Sequence, residues 1–192
     1  MTFDECILCQ RELKRTPTWQ GLFERLPQVI CQSCKESFEP VIEQGDVRSL
    51  FHYNEAMIDY LHRYKFMHDT ILANLFRKEV NIALKNTIVV PIPMHPDKQK
   101  ERTFSHVELL LQCAQIPYVE LLRKESLEIQ GTKTREERLA TPQIFELRQK
   151  PCEKSYTVFD DIVTTGTTLA HAKKLLIEAG AKEVNCLTLI KA

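Results

Sequence analysis

Tyr156 to Thr168 reads YTVFDDIVTTGTT, and a helix-patterned run follows that closes at Gly180. Tyr156, Thr157, Val158 and Phe159 have strand character and carry the chain to two adjacent carboxylates, Asp160 and Asp161, then to a loop of small hydroxyl residues around one glycine. Such a loop is shaped to hold a phosphate. A glycine lets the backbone curl, so that N–H groups from Thr164 to Thr168 turn toward one anion at the positive end of the helix that starts there. Threonine hydroxyls add donors. No lysine of the Walker type follows Gly166 and no G-x-G-x-x-G precedes it, which argues against a P-loop nucleotide hydrolase and a dinucleotide fold. Two carboxylates would repel a polyphosphate directly, but they suit ribose hydroxyls or a hydrated magnesium beside a sugar phosphate.

The segment resembles the phosphoribosyl pyrophosphate motif of type I phosphoribosyltransferases: apolar strand, two acidic residues, then T-T-G-T-T. An ordinary strand-turn-helix with a threonine cap explains the turn but leaves the acidic pair idle, since one capping side chain suffices to start a helix. Working outward, Leu169, Ala172, Leu175, Leu176 and Ala179 form the buried stripe of the helix, Gly180 supplies a left-handed stop, and Glu183 to Ile190 returns as a strand. Thr87 to Pro93, TIVVPIP, is an apolar run too short for a helix. It reads as a strand buried on both faces, the mark of a parallel α/β sheet.

The chain has 192 residues, enough for one core of about 100–200 residues with a small appendage. Lys plus Arg and Asp plus Glu number 26 each, so attraction to nucleic acid or anionic lipid must come from a local patch. No apolar run approaches the roughly 18 residues of a membrane span, and the MTFDEC start is acidic where a signal peptide is basic, so the chain is expected in the cytoplasm.

Cys6-x-x-Cys9 and Cys31-x-x-Cys34, with 21 residues between the pairs, follow the spacing of tetrahedral zinc sites. Four thiolates close the coordination shell, which makes the expected zinc structural. A redox CxxC would sit between a thioredoxin-like strand and helix, absent here. The expected division is a zinc module over residues 1–40 and an α/β domain over 41–192. The module is too short and polar to bury a core alone, so the ion would supply its folding free energy. Trp19 and Phe23, with Lys14 and Arg15, read as packing under the knuckles ahead of a stacking platform for single-stranded nucleic acid. Cys113 and Cys186 read as core thiols and Cys152 as an incidental loop residue.

Pro40 and Gly45 bracket a linker, and Arg48 to Tyr53 is extended. Asn54 caps a helix running to about Phe66 with Met57, Leu61, Tyr64 and Ile58 inward; a second helix is expected from Asp69 to Leu84 with Leu72, Leu75, Phe76 and Val80 on one stripe. His62, Arg63, Lys65 and His68 read as a solvated face. Lys98, Lys100 and Arg102 follow the TIVVPIP strand, at the edge where open α/β sheets bind ligands, and Ser105 starts a further helix. A second basic cluster, Arg123, Lys124, Lys133, Arg135 and Arg138, surrounds Gln130-Gly131. Both clusters suit pyrophosphate, a nucleic-acid backbone or, with the interleaved glutamates, plain solvated surface.

The order of these motifs, four cysteines, VVPIPMH, Lys98 to His106, Gln130 to Arg138 and VFDDIVTTGTTL, resembles the ComF family along nearly the whole chain. The resemblance implies a type I phosphoribosyltransferase-like fold, mostly parallel sheet flanked by helices, with an N-terminal zinc-binding module. It implies Cys6, Cys9, Cys31 and Cys34 as metal ligands, and Asp160, Asp161, Thr164, Thr165, Gly166, Thr167 and Thr168 as a phosphoribosyl pyrophosphate pocket, with magnesium accompanying the ligand. Arg102 is a further candidate contact. The implied role is assistance to uptake of single-stranded DNA in natural transformation, with a ComFA-type helicase as partner. One departure is visible: the family often reads Arg-Gly-aromatic-Asn-Gln where this chain has Arg102-Thr103-Phe104-Ser105-His106. Active transfer of a phosphoribosyl group to a nitrogen nucleophile is the alternative, placed second because no acceptor-recognising segment is evident, and a donor pocket does not establish a reaction.

Overall fold

The computed structural model describes residues 4–13, 26–42, 45–95, 101, 104–124, 145–152 and 154–192. Its elements in chain order are α1 (Gln32–Glu36), β1 (Arg48–His52), α2 (Glu55–Lys65), a 3₁₀ turn (Thr70–Asn74), α3 (Arg77–Leu84), β2 (Ile88–Pro91), α4 (His106–Cys113), β3 (Leu122–Lys124), β4 (Phe145–Leu147), β5 (Ser155–Val163), α5 (Thr167–Glu178) and β6 (Glu183–Lys191). Four strands form one parallel sheet in the order β1-β6-β5-β2, and β3 and β4 form an antiparallel pair. The expected α/β class, a mostly parallel sheet flanked by helices with a four-cysteine cluster near the N-terminus, is what the chain forms.

Alternation along the strands divides the apolar residues between two faces, because successive side chains of a strand point to opposite sides. Val89, Phe159, Leu187 and Leu189 lie with Met57, Tyr60, Tyr64, Leu72, Val80, Leu110 and Leu111, under α2, the 3₁₀ turn, α3 and α4. Val90, Tyr156, Val158, Val184 and Cys186 lie with Leu169, Ala172, Leu176, Leu122 and Phe145, under α5 and the β3–β4 pair. Phe159 in the central strand is fully enclosed. Truncating so large a buried ring to alanine costs about 3–5 kcal/mol.

Local signals explain most boundaries. Asn54 Oδ1 accepts the Met57 N–H at 3.1 Å and caps α2. At the far end of α5, Gly180 takes φ +109°. The Gly180 and Ala181 N–H groups return to the Ile177 and Leu176 carbonyls, both at 3.0 Å, as a left-handed stop requires.

Four expectations are corrected. The stretch from Asp69 to Leu84 is broken into the 3₁₀ turn and α3; Leu72, Leu75, Phe76 and Val80 are all buried, so the apolar stripe is kept while the ladder is not. Ile58 is 47% exposed, and Tyr60 takes the inward place instead. The linker after Pro40 begins as an edge contact: Val41 N donates to Leu50 O at 2.9 Å and His52 N to Glu39 O at 2.8 Å. Lys65, expected on a solvated face, is paired inside the molecule.

The cysteine-bearing segment shares its apolar surroundings with the sheet. Cys6, Leu13, Ile30 and Phe38 belong to the same buried cluster as Tyr60 and Phe76. Phe38 meets Phe76 edge-on at 5.0 Å between ring centres. The buried Arg77 donates to Pro27 O at 2.5 Å, and Arg63 donates to Leu8 O at 3.3 Å.

Candidate functional sites

Two sites stand apart in the fold. At the first, the Sγ atoms of Cys6, Cys9, Cys31 and Cys34 lie within 4.8 Å of one another, so these four cysteines could bind a metal ion such as zinc. Thiolates about 2.3 Å from a tetrahedral ion stand about 3.8 Å apart. Cys9 Sγ and Cys31 Sγ are 3.7 Å apart, so the donor set fits that geometry. The knuckle is shaped by Gln10, which takes the left-handed φ of 61° and donates its N–H to Cys6 O at 2.8 Å. On the other side Lys35 N closes on Cys31 O at 3.0 Å at the start of α1. Burial opposes ionisation of Cys6, but backbone N–H groups of Cys31, Cys9 and Leu8 point at its sulfur and bring the thiol down to about 7. Cys34, half-buried, is pushed up by its partial removal from water and then by the other sulfurs. Donors aimed at a sulfur are the outer support that thiolate ligands use.

The second site is at the carboxyl edge of β5. Asp160 and Asp161 are strand residues, since β5 runs on to Val163. Their side chains therefore point to opposite faces. Asp160 lines an open depression together with Ile162, Val163 and Thr164 through Leu169. Gly166 stands at φ +76° just before α5, a left-handed conformation that disfavours any side chain, although the nearest atom to an added Cβ would be Val163 Cγ2 at an ordinary 3.8 Å. The first intrahelical bond is Ala170 N to Gly166 O at 2.9 Å, so the N–H groups of Thr167 to Leu169 precede the ladder. The Thr165 and Thr167 hydroxyls bond each other at 3.0 Å, and the loop threonines are exposed or half-buried. Burial, then the neighbouring charge of Asp161, pushes the Asp160 carboxyl up to about 7, against the Asp161 N–H that donates to it at 2.9 Å and the charges of Lys65 and Lys124.

Asp161 lies on the other face, beneath α2, 8% exposed. Lys65 Nζ stands 2.5 Å from its Oδ2, and both side chains are largely buried. Tyr60 and Tyr64 of α2 are next to this pair; burial first, then the charge of Asp161 for Tyr60 and the neighbouring Tyr60 ahead of Asp161 for Tyr64, holds both phenols neutral. Tyr64 donates to His106 O at 2.8 Å. Sequence reasoning missed Lys65 as a partner of the acidic pair, because position on a helix says nothing about a contact made with a distant strand.

A second depression opens at the carboxyl end of β2, lined by Pro93, Met94, Ser105, Glu108, Arg123 and Lys124 among others. Arg123 pairs with Glu146 at 2.6 Å, and Arg148 pairs with Glu120. Phe104 packs against His106 with 4.7 Å between ring centres. Arg102, Lys98, Lys100, the loop around Lys133, Arg135 and Arg138, and the Lys14, Arg15, Trp19 and Phe23 group lie outside the described residues.

No protein-family model matches the chain. Over 97% of its length it is 31% identical to the competence protein ComFC of Streptococcus pneumoniae, covering 100% of that protein. It is 28% identical to ComFC of Bacillus subtilis, with 97% of this chain and 95% of that one aligned. Competence protein F of Haemophilus influenzae is 25% identical over 97% and 90%. Among solved structures, a hypoxanthine phosphoribosyltransferase from Staphylococcus aureus aligns with 60% of this chain and 61% of its own at a TM-score of 0.37 and 16% identity. An orotate phosphoribosyltransferase from Aeropyrum pernix aligns with 65% and 62% at 0.40 and 17%. This chain thus spans about three fifths of each enzyme's length.

Proposed function

We propose, from the premise that this chain belongs to the ComFC family of competence proteins, that it is an accessory protein of natural transformation carrying a phosphoribosyl pyrophosphate-type pocket. It works on the cytoplasmic side with a ComFA-type helicase and the incoming single strand. The observation that carries the competence reading is the 31% identity kept along 97% of the chain. What supports the pocket is the loop itself: an open turn with Gly166 at φ +76°, at the carboxyl edge of a parallel sheet, opening helix α5.

The ligand is a sugar phosphate of the phosphoribosyl pyrophosphate class. Its 5-phosphate lies in Thr164 to Thr168, Asp160 faces its ribose hydroxyls, and any magnesium it brings is held by its own pyrophosphate oxygens. Arg102 is a proposed further contact. The ion at Cys6, Cys9, Cys31 and Cys34 is zinc; when bound it supplies a closed tetrahedral shell and folding free energy, with no open position for chemistry.

Four measurements test this reading. Deleting the gene in its host abolishes transformation and the wild-type gene restores it; unchanged transformation refutes the competence role. Phosphoribosyl pyrophosphate raises the melting temperature of the wild-type protein and raises it less for Asp160→Asn; no shift at any concentration removes the pocket. Sustained pyrophosphate release with a nucleobase would make the protein an active phosphoribosyltransferase. Retention on single-stranded DNA that weakens about 10³-fold over a fourfold rise in salt would mark several phosphate contacts. No retention at low salt leaves protein partners to carry the role.

A further inference from the structure

We infer that the acidic pair is divided, Asp161 being committed to Lys65 on the far face of the sheet, so that a sugar phosphate in the loop site meets the carboxylate of Asp160 alone and the pair holds no divalent cation. This rests on the phosphate-pocket reading above. Strand β5 places Asp160 with Tyr156 and Val158 on the α5 face, in the depression that the threonine loop lines. Asp161 falls with Phe159 on the α2 face, where Lys65 Nζ is 2.5 Å from Oδ2.

The side chains of Lys65 and Asp161 are 14% and 11% exposed, so the pair is closed off from water. The Tyr60 hydroxyl beside it is buried without a hydrogen-bond partner among the described residues, and the Tyr64 hydroxyl is committed to His106 O. Neither phenol takes over the ammonium if Asp161 leaves. Recruiting Asp161 to a cation would strand a buried charge, which is among the costlier changes a protein interior can make. The end of α2 is also pinned: Arg63 donates to Asp69 at 2.9 Å and to Leu8 O at 3.3 Å, which limits how far Lys65 can follow. A magnesium ion bound by protein wants one or two ionised carboxylates among its six oxygens. With Asp161 neutralised from the far face, the residues do not fit that role. Lys65 pairs with Asp161 and does not line the threonine-loop depression, so it is a positioning residue.

The test is calorimetric titration of the full chain with ribose 5-phosphate, in excess magnesium or in EDTA. Wild-type affinity is expected to differ by less than about threefold between the two. Asp160→Asn weakens binding about tenfold or more, the worth of one charge-assisted hydrogen bond, and Asp161→Asn costs several times less. Lys65→Met leaves Asp161 buried and unpaired on the α2 face, so binding of ribose 5-phosphate stays independent of magnesium. A wild-type affinity that rises tenfold with magnesium, or an Asp161→Asn loss equal to that of Asp160→Asn, overturns the inference while the pocket stands. Both of these hold even if Lys65→Met fails to fold. Absence of wild-type binding to ribose 5-phosphate and to phosphoribosyl pyrophosphate in either condition removes the pocket and the inference together.

Discussion

The cysteine cluster and the threonine loop manage charge in opposite ways. The cysteines come from two separated segments, meet within 4.8 Å, and share apolar surroundings with the sheet. The threonine loop comes from one short stretch, lies open, and is lined by the carboxylate of Asp160. A site whose ligands saturate an ion is part of the folding free energy; a site that keeps its donors exposed leaves them for a ligand that comes and goes. The contrast extends to the acidic pair, where Asp160 belongs to the open site and Asp161 to the closed interior.

The largest expected effect breaks the closed site. Cys9→Ser, or metal removal by a chelator, should lower the melting temperature by about 10 °C or more, at about 2–4 °C per kcal/mol for a chain of this size. Scanning calorimetry with metal content by mass spectrometry checks it; an unchanged melting temperature would reduce the cluster to four packed thiols. Next, Lys65→Met should destabilise by about 3–5 kcal/mol in urea denaturation by leaving Asp161 buried and unpaired, and Lys65→Met/Asp161→Leu should recover most of the loss. A double variant as unstable as the single one would mean that packing of the lysine stem matters more than charge.

The open site is expected to show smaller changes. The Asp160 carboxyl, raised to about 7 from an ordinary 3.8, binds its proton more tightly in the folded chain than in the unfolded one. Its contribution is therefore fully present below about pH 3.8 and is lost as pH rises toward 7. Asp160→Asn should flatten that part of the stability profile and stabilise the protein at pH 8 by about 2 kcal/mol at most, solvent screening included. An unaltered profile would place Asp160 in a wetter setting than its neighbours suggest. Last, Gly166→Ala should cost about 1–2 kcal/mol through its left-handed φ alone, since the space for a methyl group exists. Binding of ribose 5-phosphate should weaken with it if the turn forms the cradle.

Much of this was legible in the chain. The cysteine spacing announced a four-sulfur cluster, because two C-x2-C turns can each bring two thiols to one point whatever the rest of the fold does. Asn54, Gly166 and Gly180 marked helix boundaries through properties of their own backbones and side chains. TIVVPIP and EVNCLTLI read as strands because a parallel sheet buries both faces. Less visible was the end of β5: Asp160 and Asp161 interrupt the apolar run after Phe159, yet sheet pairing with β6 carries the strand through them to Val163. Pairing energy belongs to two segments, so a scan of one underestimates it. The break between the 3₁₀ turn and α3 was hidden for a related reason, since the apolar period survives it.

Residue order alone settled the class of sheet, the two cysteine knuckles and the left-handed turn at Gly166, for each depends on groups within a few positions of one another. Which way each carboxylate faces, and that Lys65 claims one of them, emerged when α2 packed across β5. Strand alternation separates neighbours, and burial then makes the pairing of the inward charge compulsory.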